Sequence, residues 1–234
     1  MKPHDATWFC PWLTDPKRNS SDVLNSTDPE SGLVPFHVKH VVAAAEYSGL
    51  RLDDAQLGLI RAYARWLRSE GADAGGVGPA EGNRLERRHL ADSLLFASQF
   101  PEGTSTVLDV GSGVGLPGIP LAIALPEAQF VLIDRSGRKV TLMRRAVRIL
   151  QLENCQVEQG EIERWPGRVP VLVSRASLPP ETMRRVADRL VVPGGVAILA
   201  GSWQARPEYE DWVTVEIPAN VLDQPVWLLM MRLE

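Results

Sequence analysis

Cysteine is nearly absent from this chain. Cys10 and Cys155 are the only two, they lie far apart, and they form no Cys-x-x-Cys pair, so neither a disulfide framework nor a cysteine zinc site is expected. Long apolar runs are missing as well: none approaches the roughly 18 residues of a membrane span, and the N-terminus lacks a basic-then-apolar signal pattern. These absences predict a cytoplasmic protein with no metal and no membrane association. Nor is there an excess of positive charge. With 25 Lys and Arg against 29 Asp and Glu the net charge is -4, which excludes a generally basic nucleic-acid binder and requires any RNA contact to come from a local patch. The rest of the composition, 44% hydrophobic and 23% charged, is that of a soluble globule, and 234 residues suffice for one large domain with an appendage.

What the chain does have is a stretch of closely spaced glycines, Val107-Leu-Asp109-Val-Gly111-Ser112-Gly113-Val-Gly115-Leu116-Pro117-Gly118. A buried strand that ends in an acid and then turns through alternate glycines is how α/β folds bring backbone against a nucleotide-like ligand, because a Cβ would forbid the turn and shield the amides. A second strand, Gln129 to Ile133, leads into Asp134, at the offset of about 20 residues expected of a carboxylate that grips ribose hydroxyls. A dinucleotide loop has the spacing Gly-x-Gly-x-x-Gly and aims a helix N-terminus at a pyrophosphate. Here the third glycine comes one residue early, Pro117 and Pro120 remove two amides, and Asp109 adds negative charge. S-adenosyl-L-methionine, a sulfonium cation without phosphate, suits these features better than NAD or FAD. For Asp109 itself, bracing of the loop amides stands as an equal alternative to a ligand role.

Along the chain, residues 1–33 read as a disordered leader, 34–100 as an N-terminal helical cap and 101–234 as the catalytic core. Phe36-His-Val-Lys-His40 is what one frame of the palindrome TTTCACGTGAAACAT, a bacterial chromosome-partitioning site, would encode, which points to a start near Val41 or Val42; a helix start with two solvated histidines is the alternative. Helical spacing runs from Val38 to Ser48 and from Asp53 to Ser69, with Leu57, Ile60, Tyr63, Ala64 and Leu67 on one stripe and Asp53 or Asp54 as N-cap. A glycine-rich break follows, then a third helix from about Arg84 to Gln99. The core predicts strand Thr106 to Val110, helix Gly118 to Leu125, strand Gln129 to Ile133, helix Gly137 to Leu152, strand Cys155 to Gln159, strand Val169 to Ser174, helix Pro180 to Leu190 and strand Gly195 to Ala200, with Pro193-Gly-Gly195 as the turn before the last. Two final strands, about Asp211 to Ile217 and Pro225 to Arg232, close as an antiparallel hairpin. This is an α/β, Rossmann-like plan: the class I methyltransferase arrangement of a mostly parallel seven-stranded sheet with a C-terminal antiparallel hairpin.

Arg88-His89-Leu-Ala-Asp92-Ser93-Leu, the extended loop Leu108 to Ala122, Leu132-Ile-Asp134-Arg-Ser-Gly-Arg-Lys139-Val and Ser174-Arg175-Ala176, taken in order, resemble the GidB/RsmG family over about Ala44 to Glu234. The resemblance implies an S-adenosyl-L-methionine-dependent enzyme that methylates guanine-N7 in 16S rRNA of the small ribosomal subunit. It places cofactor contacts on Gly111 and Leu116, on Ile162 and Glu163, and on Arg175, with Asp134 matching the family's acid and Ser112 and Gly113 within the loop. Arg175 is also the candidate catalytic residue, through the methionine carboxylate, the target base or a phosphate; a salt bridge to a nearby acid is the alternative for Arg175, and core packing for Ile162. Three segments depart from the family on the substrate side. The Trp-Asn-Lys-x-x-Asn-Leu-Thr segment is not found between Trp66 and Arg84, Ala200-Gly201 stands where Lys-Gly is usual, and Arg175-Ala-Ser177-Leu-Pro-Pro180 replaces Arg-Ala-Phe-Ala-Ser.

The residues fit that chemistry. Leu178-Pro-Pro-Glu181 lacks the polar and aromatic ends of the loop that methylates exocyclic amines, and Cys155 sits at the wrong strand for a pyrimidine C5 nucleophile. Guanine-N7 has an in-plane lone pair and no proton to lose, so alignment matters more than a base. His89 is read as packing with Asp92 on its helix, with catalysis as the alternative. For RNA contact the local charge is Arg135, Arg138, Lys139, Arg144, Arg145 and Arg148; on the helix from Gly137, Val140, Met143, Val147 and Leu150 face inward and the arginines outward. A solvated helix face is the alternative there. For the whole chain the alternatives are a methyltransferase acting on another RNA or a small molecule, or a non-catalytic S-adenosyl-L-methionine-binding, ribosome-associated protein.

Overall fold

The computed structural model describes residues 38–71, 85–201, 203 and 205–234, with backbone alone at 86–88. The 1–33 leader, Phe36 and His37, and the glycine-rich segment 72–84, where the family resemblance would place the Asn-Leu-Thr motif, lie outside the described residues.

Seven strands form one sheet in the order β3-β2-β1-β4-β5-β7-β6. They are β1 (Thr106–Val110), β2 (Gln129–Asp134), β3 (Cys155–Gln159), β4 (Val169–Arg175), β5 (Val191–Ala200), β6 (Val213–Ile217) and β7 (Val226–Arg232). β1 to β5 pair in parallel, and β7 runs antiparallel to both β5 and β6. The methyltransferase plan and its terminal hairpin are therefore present. Strand residues alternate between two apolar layers, as the two-residue strand period requires. Val107, Val171, Val173, Val196 and Ile198 share one cluster with the helices of the N-terminal half. Their neighbours Leu108, Leu172, Ala197 and Leu199 pack with Met183, Val186 and Leu190 of α6 (Pro180–Leu190) on the other face.

The N-terminal helices α1 (Val38–Tyr47) and α2 (Asp54–Trp66) follow the expected spacing. Asp53 is the N-cap of α2, with its carboxylate accepting from the Gln56 amide at 2.7 Å while Gln56 Oε1 accepts from the Asp53 amide at 2.9 Å, a reciprocal capping box. Ile60, Tyr63, Ala64 and Leu67 are buried, as the stripe requires. Beyond Trp66 the chain passes into a π turn, Leu67–Gly71. The third expected helix is not one α-helix but a π segment Glu86–Ala91, the short α3 (Asp92–Leu94) and a 3-10 turn Leu95–Gln99.

The helix after the glycine loop, α4 (Gly118–Ala124), is buried at every residue. It is held between the sheet and α2, which explains why its sequence has no polar face. Its orphan C-terminal carbonyls find side-chain donors from elsewhere. Gln56 Nε2 donates to Ile123 O at 2.9 Å, and Asn154 Nδ2 to Ala122 O at 3.0 Å and to Leu125 O, at the C-cap, at 3.2 Å.

Two of the boundaries that differ from expectation have a clear local cause. The helix from Gly137, α5 (Gly137–Ile149), ends before Leu152 because Gln151 adopts φ 53°, and Leu152 N donates to Val147 O at 3.1 Å while Gln151 N donates to Arg148 O at 3.2 Å. That pair of bonds is a Schellman closure, with glutamine where glycine is usual. β5 starts at Val191, not Gly195: Pro193-Gly-Gly195 is no interrupting turn but an irregularity inside the strand, where pairing jumps from Val169↔Val191 to Val171↔Val196. Gly194 at φ 80° absorbs the extra residues, and its amide donates to Leu233 O at 2.7 Å. A four-residue helix, α7 (Ala219–Leu222), also sits between β6 and β7.

Candidate active site

In this strand order β1 lies between β2 and β4, so successive crossovers leave it in opposite directions and a crevice opens at the carboxyl ends of the strands. A cleft of about 800 Å³ lies there. Gly111, Ser112, Gly113 and Leu116 line it from the loop after β1, Asp134 from the end of β2, Ile162 and Glu163 from the 3-10 turn Ile162–Arg164 after β3, and Arg175 from the end of β4. All eight residues singled out in the sequence are thus brought to one cavity. Cys155 is not among its lining; it opens β3 at the opposite end of the strand, and burial pushes its thiol up to about 12.

The loop turns out of β1 with Gly111, Gly113 and Gly115 at φ 71°, 63° and 104°. Its amides are largely spent within the protein. Gly111 N and Ser112 N donate to Ile133 O at 2.8 and 3.2 Å, and Gly115 N and Leu116 N to Ser112 O at 2.8 and 3.0 Å. Gly113 N donates to Asp134 Oδ2 at 3.0 Å and Gly118 N to Asp109 Oδ2 at 2.8 Å. A loop with these six donors engaged, and a proline at 117, is not built as an anion nest for a pyrophosphate. The Leu116-Pro117 peptide is cis.

The two acids differ in placement. Asp109 is fully buried, does not line the cleft, and braces Gly118. Burial pushes its carboxyl up to about 7, with the Ser112 hydroxyl, the Gly118 amide and the Arg175 charge offsetting only part of the effect. Asp134 reaches the cleft. Besides Gly113 it accepts from the Ser136 amide at 2.8 Å, and a carboxylate with about four lone-pair sites keeps acceptor capacity toward the cavity.

Several supporting residues were not legible in the chain. Tyr63, expected only as part of an apolar stripe, donates its hydroxyl to Val114 O at 2.9 Å and stacks on Trp66 with ring centroids 5.9 Å apart. Burial raises its phenol well above its ordinary pKa. Tyr63→Phe should cost about 1 kcal/mol through the orphaned carbonyl, read as a shift of the urea midpoint at unchanged m; no shift would mean that the bond contributes nothing. Arg189, from the last turn of α6, donates to Ile162 O and, at 2.7 Å, to Trp165 O, clamping the turn that carries Ile162 and Glu163. Ser177 rests on the glycine loop, donating to Val110 O at 2.9 Å. His89 meets Arg175. No local periodicity encodes such contacts.

The basic stretch divides. Arg144 donates to Val157 O of edge strand β3, at 3.2 Å from its nearer nitrogen, and Arg145 pairs with Glu70 at 2.9 Å. Arg135 and Lys139 line the cleft, while Arg138 and Arg148 lie along α5. Among the described residues no group of three or more His, Cys, Asp or Glu could hold a metal ion, and no helix is long and apolar enough to cross a membrane.

A curated relative from Mycobacterium leprae, ribosomal RNA small subunit methyltransferase G, is 35% identical over 231 residues, covering 84% of this chain and 92% of its own. One of the same name from Streptomyces avermitilis is 36% identical, covering 73% and 71%. A solved structure from Methanococcus maripaludis, assigned as an S-adenosyl-L-methionine-dependent methyltransferase, superposes with a TM-score of 0.50 at 15% identity over 66% of this chain and 92% of that one, a likeness of fold alone. Residues 56–215, which include the whole glycine loop and every lining residue singled out in the sequence, match the family model GidB, rRNA small subunit methyltransferase G. The chain belongs to that family.

Proposed function

We propose that this protein transfers a methyl group from S-adenosyl-L-methionine to guanine-N7 in 16S rRNA of the small ribosomal subunit, and works in the cytoplasm. The observation that carries the cofactor is the cleft itself: its loop amides are engaged within the chain, Asp134 at the end of β2 reaches the cavity where Asp109 does not, and it opens at the topological switch point. Membership of the family carries the substrate.

S-adenosyl-L-methionine supplies an electrophilic methyl group on a sulfonium. The chain's own residues hold and orient. Asp134 has acceptor sites for ribose hydroxyls, Ile162 offers apolar surface for a purine ring beside Glu163, and Gly111, Ser112, Gly113 and Leu116 form the floor. Arg175 carries the guanidinium for a carboxylate or phosphate. The target nitrogen has a lone pair and no proton, so the protein supplies alignment and the exclusion of water, and no general base is needed. Arg135, Arg138, Lys139, Arg144, Arg145 and Arg148 supply the local positive charge for rRNA phosphates; Arg144 also donates to Val157 O and Arg145 also pairs with Glu70. The segment 34–100 acts as a helical cap on a 101–234 core, a reading supported by the apolar cluster that the two share.

The test uses the purified protein with labelled S-adenosyl-L-methionine and small subunits from a strain lacking the family's enzyme. Nucleoside mass spectrometry should find 7-methylguanosine in 16S rRNA, and calorimetry should find S-adenosylhomocysteine bound. Bound cofactor without 7-methylguanosine above background would leave a cofactor-binding protein with another target.

A further inference from the structure

We infer that His89 is a positioning residue, which fixes the guanidinium of Arg175 at the cleft through the lone pair of its Nδ1. The inference rests on the cofactor and substrate proposed above, and it adds a residue that reaches the reacting groups only through another.

Arg175 ends β4. Its Nη2 lies 3.2 Å from His89 Nδ1 and its Nη1 donates to His89 O at 3.4 Å. Both residues line the cleft. A guanidinium has donors only, so the nitrogen facing it must be an acceptor, and His89 is therefore neutral with its proton on Nε2. The backbone makes a second contact. His89 lies in the π segment Glu86–Ala91, a geometry that recurs at functional sites. Its carbonyl accepts from Ser93 Oγ at 2.5 Å as well as from Arg175. Ring and carbonyl of one residue thus hold two nitrogens of one guanidinium. The grip is long-range, 86 residues apart in sequence, and joins the N-terminal helical segment to the end of a core strand.

The physical reason for such a grip is preorganisation. Arginine has a long side chain with many rotamers, and at a strand end beside an open cleft it would lose that freedom each time ligand bound. Held beforehand by His89, the fork is already oriented.

A double-mutant cycle tests this, with S-adenosylhomocysteine affinity by calorimetry and the initial methylation rate of small subunits as separate readouts. His89→Leu removes the acceptor, and His89→Asn restores one, since asparagine Oδ1 occupies roughly the place of Nδ1. His89→Leu should lower kcat/KM or inhibitor affinity about tenfold with the unfolding temperature unchanged, and His89→Asn should recover most of that loss. In an Arg175→Met background His89→Leu should have no further effect. The ring nitrogens of His89, one of four histidines, should show the Nε2–H tautomer in ¹⁵N spectra, and Arg175→Met should relax it toward the ordinary mixture. Equal impairment of the Leu and Asn variants, additive losses, or a tautomer indifferent to Arg175 would overturn the assignment. If His89→Leu fails to fold, the Asn variant and the spectrum still decide. A wild-type protein that binds S-adenosylhomocysteine but makes no 7-methylguanosine would defeat the proposed substrate while leaving the binding cycle to judge His89.

Discussion

Gly111→Ala should abolish S-adenosylhomocysteine binding and lower stability by roughly 2–5 kcal/mol. Two costs combine. Gly111 has φ 71°, where a Cβ is strained, and a Cβ built there would stand 2.3 Å from Ser177 Cβ and 2.8 Å from Ser177 Oγ. Ser177 cannot retreat freely, because its hydroxyl is bonded to Val110 O at 2.9 Å and lies 2.5 Å from Ser174 Oγ. The loop must therefore move, and with it the Gly111 and Ser112 amides on Ile133 O. Gly113 is the internal control. It too has positive φ, 63°, but the nearest atom to its added Cβ is 4.0 Å away, so Gly113→Ala should cost only the conformational part, about 1–2 kcal/mol. Adding Ser177→Gly to Gly111→Ala should recover the steric part and leave the φ cost. Calorimetric titration and urea unfolding of these variants, with Ser177→Gly alone as the fourth, measure both, and Gly111→Ala indistinguishable from Gly113→Ala would refute the clash.

The second large effect is one of pH. Asp109 has an ordinary carboxyl value of 3.8 raised to about 7 in the fold, chiefly by burial, and its Oδ1 is buried without a hydrogen-bond partner. The native state therefore keeps its proton through a range in which the unfolded chain has lost it. Stability from this group is highest below about pH 4, falls as pH rises through the window from 3.8 to about 7, and is level above. A rise of that size corresponds to about 4 kcal/mol. Asp109→Asn keeps an acceptor for the Gly118 amide and does not titrate, so the difference in unfolding free energy between wild type and variant should change by about that amount between about pH 4 and 8. Carboxylates remote from Asp109 contribute equally to both proteins and cancel. Parallel profiles would show that Asp109 is ionised in the native state throughout.

Both effects lie in the stretch from Val107 to Gly118, the part of the chain most legible in sequence. Its glycines could be read because a positive φ is a local demand that few residues meet, and the strands and helices around it because apolar period is local too. Helix α6 begins at Pro180 and ends at Leu190 as expected, since proline at its first turn and a clear 3.6-residue stripe leave little choice. The misread elements are those where local signals compete with pairing. Pro193-Gly-Gly195 has the composition of a turn, but pairing with β4 and the bond to Leu233 draw it into the sheet. The segment ending at Gln99 has helical spacing, yet packing turns part of it into a π segment that carries His89.

The chain by itself determined the fold class, the glycine loop, Asp134 and the order of the motifs, because each depends on residue type and spacing within a few turns of backbone. Tertiary structure alone decided the role of Asp109: it and Asp134 both stand at the ends of sheet strands after an apolar run, but the packing of α4 buries Asp109 against Gly118, while Asp134 lines the cavity. It likewise decided that Tyr63 supports the loop, that Arg189 holds the Ile162 turn, that Arg144 and Arg145 have partners within the chain, and that His89 grips Arg175. Each of these contacts joins residues far apart in sequence, and such partners are set by how whole elements pack, which no local pattern encodes.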